Sequence, residues 1–348
     1  MSKKKFIYPV LYGVALTGFT AYALLDTFVI TRSYQTTVES NFSASDTYSS
    51  VFSTSSSSLA DESSAADSSV SESTDASSSE SAQAEESESS QTDTQSEDSS
   101  ASSQTVVSTD SYSDKNITIT LTEYREYDTS IYVADITLTS AEYLKTAFAE
   151  NTYGRNIKEK TSEIAESVGA ILAINGDFYG AQSEGYVIRN GILYRSDAAE
   201  NNEDLAILTD GSFQIFNESD YSAESVLSSG AWQTFAFGPA LVQGGEIAVT
   251  EDEEVGKSMA SNPRTAIVSY GGLHYAFVVS DGRTSESEGL SLYQLAEFLQ
   301  SIGAQTAYNL DGGGSSTMYF NGEVVNNPTT NGKKIKERSV SDIVYIGY

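Results

Sequence analysis

Apolar and polar positions divide the chain into three stretches of different character. Residues 6–25 carry no charge, follow Lys3, Lys4 and Lys5, and give way after Asp26 to Phe28, Val29 and Ile30. Residues 33–114 are dominated by Ser, Asp and Glu. From residue 115 the pattern is mostly strand-like. Ile117, Ile119 and Leu121 alternate with polar residues, and 131–138 reads as another strand. Turn dipeptides separate apolar runs at Asn190-Gly191, Asp210-Gly211, Gly271-Gly272 and Asn321-Gly322. Two segments read as helices. One covers 156–168 and stops at Gly169; the other starts at the capping pair Ser291 and Gln294 and stops at Gly303. Its apolar stripe is Leu292, Leu295, Ala296, Leu299 and Ile302. The expected fold class is therefore α+β: one strand-rich mixed domain with a few packed helices, preceded by a transmembrane helix and a disordered stalk.

Composition sharpens the division. The 348 residues hold no Cys and one His, and the net charge is −30. No Cys/His zinc site, iron–sulfur cluster, disulfide framework or thiol nucleophile can be built from them. A sequence pI near 4.1 argues against nucleic acid as a partner. Residues 33–114 comprise 32 Ser and 16 acids with no Lys or Arg, too little apolar surface to offset the entropy of ordering. The expected organisation is a cytoplasmic tail (1–5), a transmembrane anchor (6–30), a disordered Ser/Asp/Glu-rich linker (31–114) and a folded domain (115–348) of net charge −17. The lysine flank places the N-terminus inside and the domain outside the cell membrane. A cleaved signal peptide is the rival reading, since Ala21-Tyr22-Ala23 fits a cleavage pattern.

The densest polar signal is Asn309-Leu310-Asp311-Gly312-Gly313-Gly314-Ser315-Ser316-Thr317-Met318, where glycines let backbone approach a ligand and hydroxyls stand beside it. No Lys follows, so this is not a P-loop. Asn175-Gly176-Asp177-Phe178, Asn262-Pro263-Arg264-Thr265, Asp281-Gly282-Arg283 and Arg338-Ser339-Val340-Ser341-Asp342 all border apolar segments, where a site assembled from loops draws its residues. Each alone reads equally as an ordinary turn. His274 and Trp232 read as packed or solvated residues, and the acidic run 251–254 as a solvated loop.

Taken together and in this order, these blocks resemble the phosphodiester glycosidase family, which includes the lysosomal uncovering enzyme and bacterial members labelled exopolysaccharide biosynthesis proteins. The resemblance covers roughly residues 164–347. It implies hydrolysis of a sugar-1-phosphodiester at the sugar C1–O bond, releasing sugar and phosphomonoester. The site residues it implies are Asp281, Asp311, Arg264 and Arg283 for catalysis. Asn175, Asp177, Asn309, Gly312, Gly313, Gly314, Ser315 and Arg338 would bind substrate. Permanently charged guanidinium groups suit a phosphodiester anion, and carboxylates suit an oxocarbenium-like centre or its attacking water. No cofactor is called for, although oxygen ligands for Ca²⁺ or Mg²⁺ leave a divalent cation open. The expected partners are a phosphodiester-linked glycan or cell-wall glycopolymer and, through the N-terminal helix, a membrane. Two alternatives stand beside this reading: a non-catalytic module that binds anionic cell-wall polysaccharide, and a phosphodiesterase that cleaves P–O.

Overall fold

The computed structural model describes residues 4–34, 38–39, 105–199, 202–252 and 261–348. Most of the expected linker, and Glu253 and Glu254 of the acidic run, lie outside these residues, whereas the end of that linker, Thr105–Ser113, is not disordered but pairs as an edge strand with Ile117–Glu126. Four α-helices are described: α1 (Lys4–Phe28), α2 (Thr161–Val168), α3 (Ala223–Ser228) and α4 (Leu292–Ser301). Strands dominate the remainder, and every strand pairing among the described residues is antiparallel. The result is a strand-rich α+β domain.

Two sheets form the centre. The larger has eight strands in the order Glu246–Ile247, Ala240–Gln243, Thr306–Leu310, Arg264–Gly271, His274–Ser280, Thr129–Leu138, Ile117–Glu126 and Thr105–Ser113. The smaller has five: Glu323–Val324, Met318–Phe320, Leu172–Asn175, Asp342–Ile346 and Leu144–Phe148. Alternation along the strands sorts side chains to the two faces of each sheet. Ile117, Ile119, Ile267, Phe277 and Tyr308 meet Leu172, Ile174, Met318, Phe320 and Val344 in one core between the sheets. Ile131, Val133, Ala266, Val268 and Val278 point the other way and are covered by Leu292, Leu295, Phe298 and Leu299 of α4. Ala173, Ile343 and Tyr345 on the outer face of the smaller sheet are covered by Ile164 and Ala165 of α2. The layers therefore run helix, sheet, sheet, helix. This explains why central strands read as continuous apolar runs: both faces are buried.

Local chemistry sets the boundaries. Ser291 and Gln294 cap α4 reciprocally at 3.0 and 2.9 Å. Asn190 and Gly191 both take left-handed backbone (φ 51° and 74°) and join Val187–Arg189 to Ile192–Arg195. The helix expected over 156–168 begins only at Thr161. Asn156 sits at φ 60° and Glu159 bridges Val340, so pairing with the strand end overrides helical propensity there.

The N-terminal segment is a single helix of 25 residues, with Tyr12, Val14, Leu16, Phe19 and Leu24 exposed. Among the described residues, no helix is long and apolar enough to cross a membrane. The side chains of residues 4–11, the first part of the expected anchor, lie outside the description.

Candidate active site

One end of the two-sheet body collects the polar blocks. Arg264 opens a strand whose neighbour ends at Ser280, and Thr265 pairs with Leu310, so Arg264, Asp281 and Asp311 converge at one edge of the larger sheet. Asn175 ends a strand paired with Asp342–Ile346 in the smaller sheet, bringing residues 175–178 and 338–342 to the same end.

Two adjoining hollows of about 370 and 270 Å³ lie there and share Phe178, Asp311 and Arg338 in their walls. The first also involves Lys158, Ser315 and Ser341; the second involves Phe237, Asn262, Arg264, Arg283, Gly312 and Gly313. Asp311 is the one carboxylate among the described residues that line either hollow. Arg338 reaches it from Nη2 at 3.1 Å (Oδ2) and 3.4 Å (Oδ1). The same guanidinium donates to Ser315 Oγ from Nε at 2.9 Å and from Nη2 at 2.6 Å, and to the Gly312 carbonyl at 3.2 Å. Arg283 forks onto Asn262 Oδ1 at 3.1 and 2.9 Å and donates to the Thr330 carbonyl at 2.6 Å. Arg264 donates from Nε to the Leu290 carbonyl at 2.9 Å.

The electrostatics are those of an anion site. Burial lowers the pKa of Arg264 to about 10, with the Arg283 charge adding to the effect. Arg283 is lowered by burial and then by Arg338. Three guanidinium groups thus repel one another around one carboxylate. They leave a local excess of two positive charges when all four groups are ionised, a balance that favours a bound anion. Burial raises Asp311 above the ordinary carboxylate value while Arg338 and Ser315 oppose the shift.

Several residues expected in the site stand behind it instead. Asp281 lines neither hollow. Its oxygens accept from Asn326 Nδ2 (3.1 Å), Asn327 N (2.8 Å), Asn327 Nδ2 (3.0 Å) and the Tyr132 hydroxyl (3.4 Å), which ties the 326–327 segment to the strand end. Asn175 is fully buried. It donates to the Asp311 carbonyl at 2.6 Å and accepts from Thr265 Oγ1 at 2.9 Å and Thr317 N at 3.3 Å, so it fixes the backbone that carries Asp311. Asn309 is buried and donates to the Gly238 carbonyl at 2.8 Å. Asp177 pairs with the fully buried Arg189 at 2.9 Å, which also pairs with Asp342 at 3.0 Å. These four side chains face the protein rather than a ligand.

At Gly313 the backbone is used inside the protein rather than for approach to a ligand. Its N–H donates to the Pro263 carbonyl at 2.8 Å. Its φ is 63°, and a Cβ there would stand 2.8 Å from Arg283 Nη2. Glycine at this position lets the Arg283 guanidinium lie over the turn. Gly314 lies against Thr330 and offers its carbonyl to Arg338 N at 3.2 Å. His274 sits at the opposite end of its strand, by the Gly271-Gly272 turn, against Asp135 at 2.9 Å.

The structure adds Phe178, Asn262, Ser339 and Ser341, which sit inside the sequence blocks, and Lys158 and Phe237, which no motif marks. Phe178 is the most distinctive. It holds a left-handed backbone (φ 73°) and is 38% exposed between the two hollows, with Lys158 Nζ 5.8 Å from its ring centre. Non-glycine residues at positive φ cost of order 1–3 kcal/mol, and such strain clusters at functional sites. Among the described residues, no group of three or more acidic or His side chains is placed to hold a metal ion.

Comparison with known proteins relates the chain to one family. The family model described as phosphodiester glycosidase matches residues 168–347, which is just over half of the chain. The SPbeta prophage-derived uncharacterized protein YomE of Bacillus subtilis (strain 168) is 28% identical over 201 residues, covering 56% of this chain and 31% of that protein. The mouse N-acetylglucosamine-1-phosphodiester alpha-N-acetylglucosaminidase is 28% identical over 189 residues, covering 48% and 35%. The chain thus spans about a third of the length of these relatives. The zebrafish N-acetylglucosamine-1-phosphodiester alpha-N-acetylglucosaminidase catalytic domain, auto-inhibited by its pro-peptide, superposes with a TM-score of 0.54 at 20% identity, covering 71% of this chain and 88% of that one. A hypothetical protein from Synechocystis gives 0.53 at 15% identity, covering 69% and 64%. The two superpositions establish a shared fold.

Proposed function

This chain belongs to the phosphodiester glycosidase family, and we propose that it hydrolyses a sugar-1-phosphodiester at the sugar C1–O bond, releasing sugar and a phosphomonoester. The observation that carries the reading is one carboxylate, Asp311, held 3.1 Å from Arg338 in a hollow that Arg264 and Arg283 also line. A phosphodiester brings one negative charge and gains more on the leaving oxygen as C1–O breaks. Fixed guanidinium groups stabilise that gain without proton transfer to the leaving group. A single carboxylate then suffices, because a phosphate leaves without the general acid an ordinary glycoside needs. In this scheme Arg264, Arg283 and Arg338 hold the phosphodiester. Asp311 stabilises the electron-poor C1 centre or activates its attacking group, and Phe178 offers a ring face to the sugar. Asp281 acts through the 326–327 segment as a positioning residue, and Asn175 acts through the Asp311 backbone.

The relatives named for N-acetylglucosamine-1-phosphodiester point to a phosphodiester-linked glycan as the substrate class. The proposal also places the domain outside the cell on a membrane anchor. Three lysines precede an uncharged stretch that lies within one continuous helix, Lys4–Phe28, and an acidic Ser-rich segment follows it. The test is incubation of the full-length chain in detergent with a panel of sugar-1-phosphodiesters, including one capped with α-N-acetylglucosamine. Release of equal amounts of sugar and phosphomonoester, lost in Arg264→Ala, is the expected result. Saturable binding of anionic wall polymer without release from any substrate would favour the non-catalytic module instead.

A further inference from the structure

A third hollow, of about 420 Å³, lies beyond the turn at 178–180, walled by Tyr153, Tyr179, Tyr194, Arg155, Arg195 and Asp197. Its size is in the range of small-ligand sites. Phe178 lines the Asp311 hollows while Tyr179 and Gly180 line this one, so one short turn separates them. The tyrosines form a rigid cluster: Tyr153 lies 5.4 Å from Tyr179 at 17° and 5.0 Å from Tyr194, and Phe148 braces Tyr194 at 4.9 Å.

The two arginines set the chemistry. Arg195 is nine-tenths buried and, among the described residues, is held by backbone carbonyls, from Nε to Gly185 at 2.5 Å and from Nη1 to Tyr179 at 3.1 Å and Gln182 at 2.9 Å. Its Nη2 has no hydrogen-bond partner among the described residues, and neither has Arg155 Nε. No carboxylate lies within 4 Å of either guanidinium among the described residues, although Asp197 shares the wall. A domain of net charge −17 has therefore placed two cations without ion-pair partners among the described residues in one aromatic-walled hollow. Sheltered charge without a counter-charge is costly, and an anion entering the hollow removes that cost. Guanidinium groups beside aromatic rings suit a carbohydrate or polyol unit that carries phosphate or carboxylate.

We propose that this hollow is a second binding site, which takes an anionic unit of a glycan or polyol polymer away from the reacting bond. The inference needs only the hollow and is read by binding, so it is separable from the hydrolytic reading. Its test uses the full-length chain in detergent carrying Asp311→Asn throughout, which keeps the probes from being turned over. Poly(glycerol phosphate), oligogalacturonate and neutral dextran of matched length are titrated by calorimetry. One or both anionic probes bind and dextran does not, and the two anionic arms distinguish phosphate from carboxylate. Arg155→Ala weakens anion binding by about 10-fold or more, the usual scale for losing a hydrogen bond to a charged group. Arg155→Lys recovers part of the loss. Arg155→Gln, longer and uncharged, replaces Arg155→Ala if that variant melts early. Unchanged affinity in the uncharged variants, loss confined to Arg338→Ala, or dextran binding as tightly as the anions would each overturn the proposal.

Discussion

Removing the Arg338 guanidinium should move the pH dependence of turnover in a direction and by an amount the geometry sets. Burial raises the Asp311 pKa, and Arg338, whose Nη2 lies 3.1 Å from Oδ2, pulls it back down. At an effective dielectric of ~20, two unit charges at that spacing attract by roughly 5 kcal/mol. Arg338 is 40% exposed. Solvent screening therefore reduces the figure to about 1.5–3 kcal/mol, the range for a hydrogen bond between charged partners. Arg338→Ala withdraws that attraction from the ionised carboxylate, so the Asp311 pKa rises further. If Asp311 acts as the anion, activity is lost as pH falls through its pKa, so the acid limb of kcat moves to higher pH. The assay is sugar release from a sugar-1-phosphodiester at saturating substrate across the acid and neutral range. KM rises as well, because one phosphate ligand is gone, and Arg338→Lys falls between the two. A variant whose kcat drops while its acid limb stays in place would refute Asp311 as the titrating group.

Three further outcomes follow from the same geometry. Asn175→Ala removes the 2.6 Å bond to the Asp311 carbonyl and strands the buried Thr265 hydroxyl; denaturant unfolding should show a loss of about 1–3 kcal/mol, with kcat reduced more than KM is raised. Gly313→Ala forces a side chain into φ 63° and against Arg283 Nη2. It should lower stability by more than ~1 kcal/mol in denaturant unfolding and raise KM for the phosphodiester in steady-state assays. Burial and the neighbouring Asp177 raise Asp342 to about 7 despite Arg189. The folded state therefore binds the extra proton, and this contribution to stability, full below the unfolded value, is lost as pH rises toward 7. Thermal melts should show the difference between wild type and Asp342→Asn shifting against wild type from about pH 4 to 7 and levelling off above.

Much of the fold was legible because local chemistry and the global layers agree. The Ser291–Gln294 capping pair, the Asn190-Gly191 hairpin and the alternation from Ile117 to Leu121 all appear where the residues place them. The start of α2 was not legible, because Glu159 takes a partner 181 positions away, at Val340, in place of the helix. The candidate site divides in the same way. Arg264, Arg283, Asp311 and Arg338 share one cavity wall, since both sheets present that end together. Which way a polar side chain points depends on distant partners. Asp281 meets Asn326 and Asn327, Asn175 meets the Asp311 carbonyl, and Asp177 meets Arg189; no local pattern distinguishes these inward-facing groups from ligand-facing ones. Phe178 belongs to the Asn175-Gly176-Asp177-Phe178 block, whereas Lys158 and Phe237 carry no signal of their own.

Hydrolysis of a sugar-1-phosphodiester in ¹⁸O-labelled water, with products read by mass spectrometry, bears most directly on the proposed chemistry. The full-length chain should place the label on the released sugar and none on the phosphomonoester. Asp311→Asn should slow release by about 10²–10⁴-fold, the span typical of a positioned catalytic group. Label in the phosphomonoester, or undiminished turnover by Asp311→Asn, would contradict C1–O cleavage at this site.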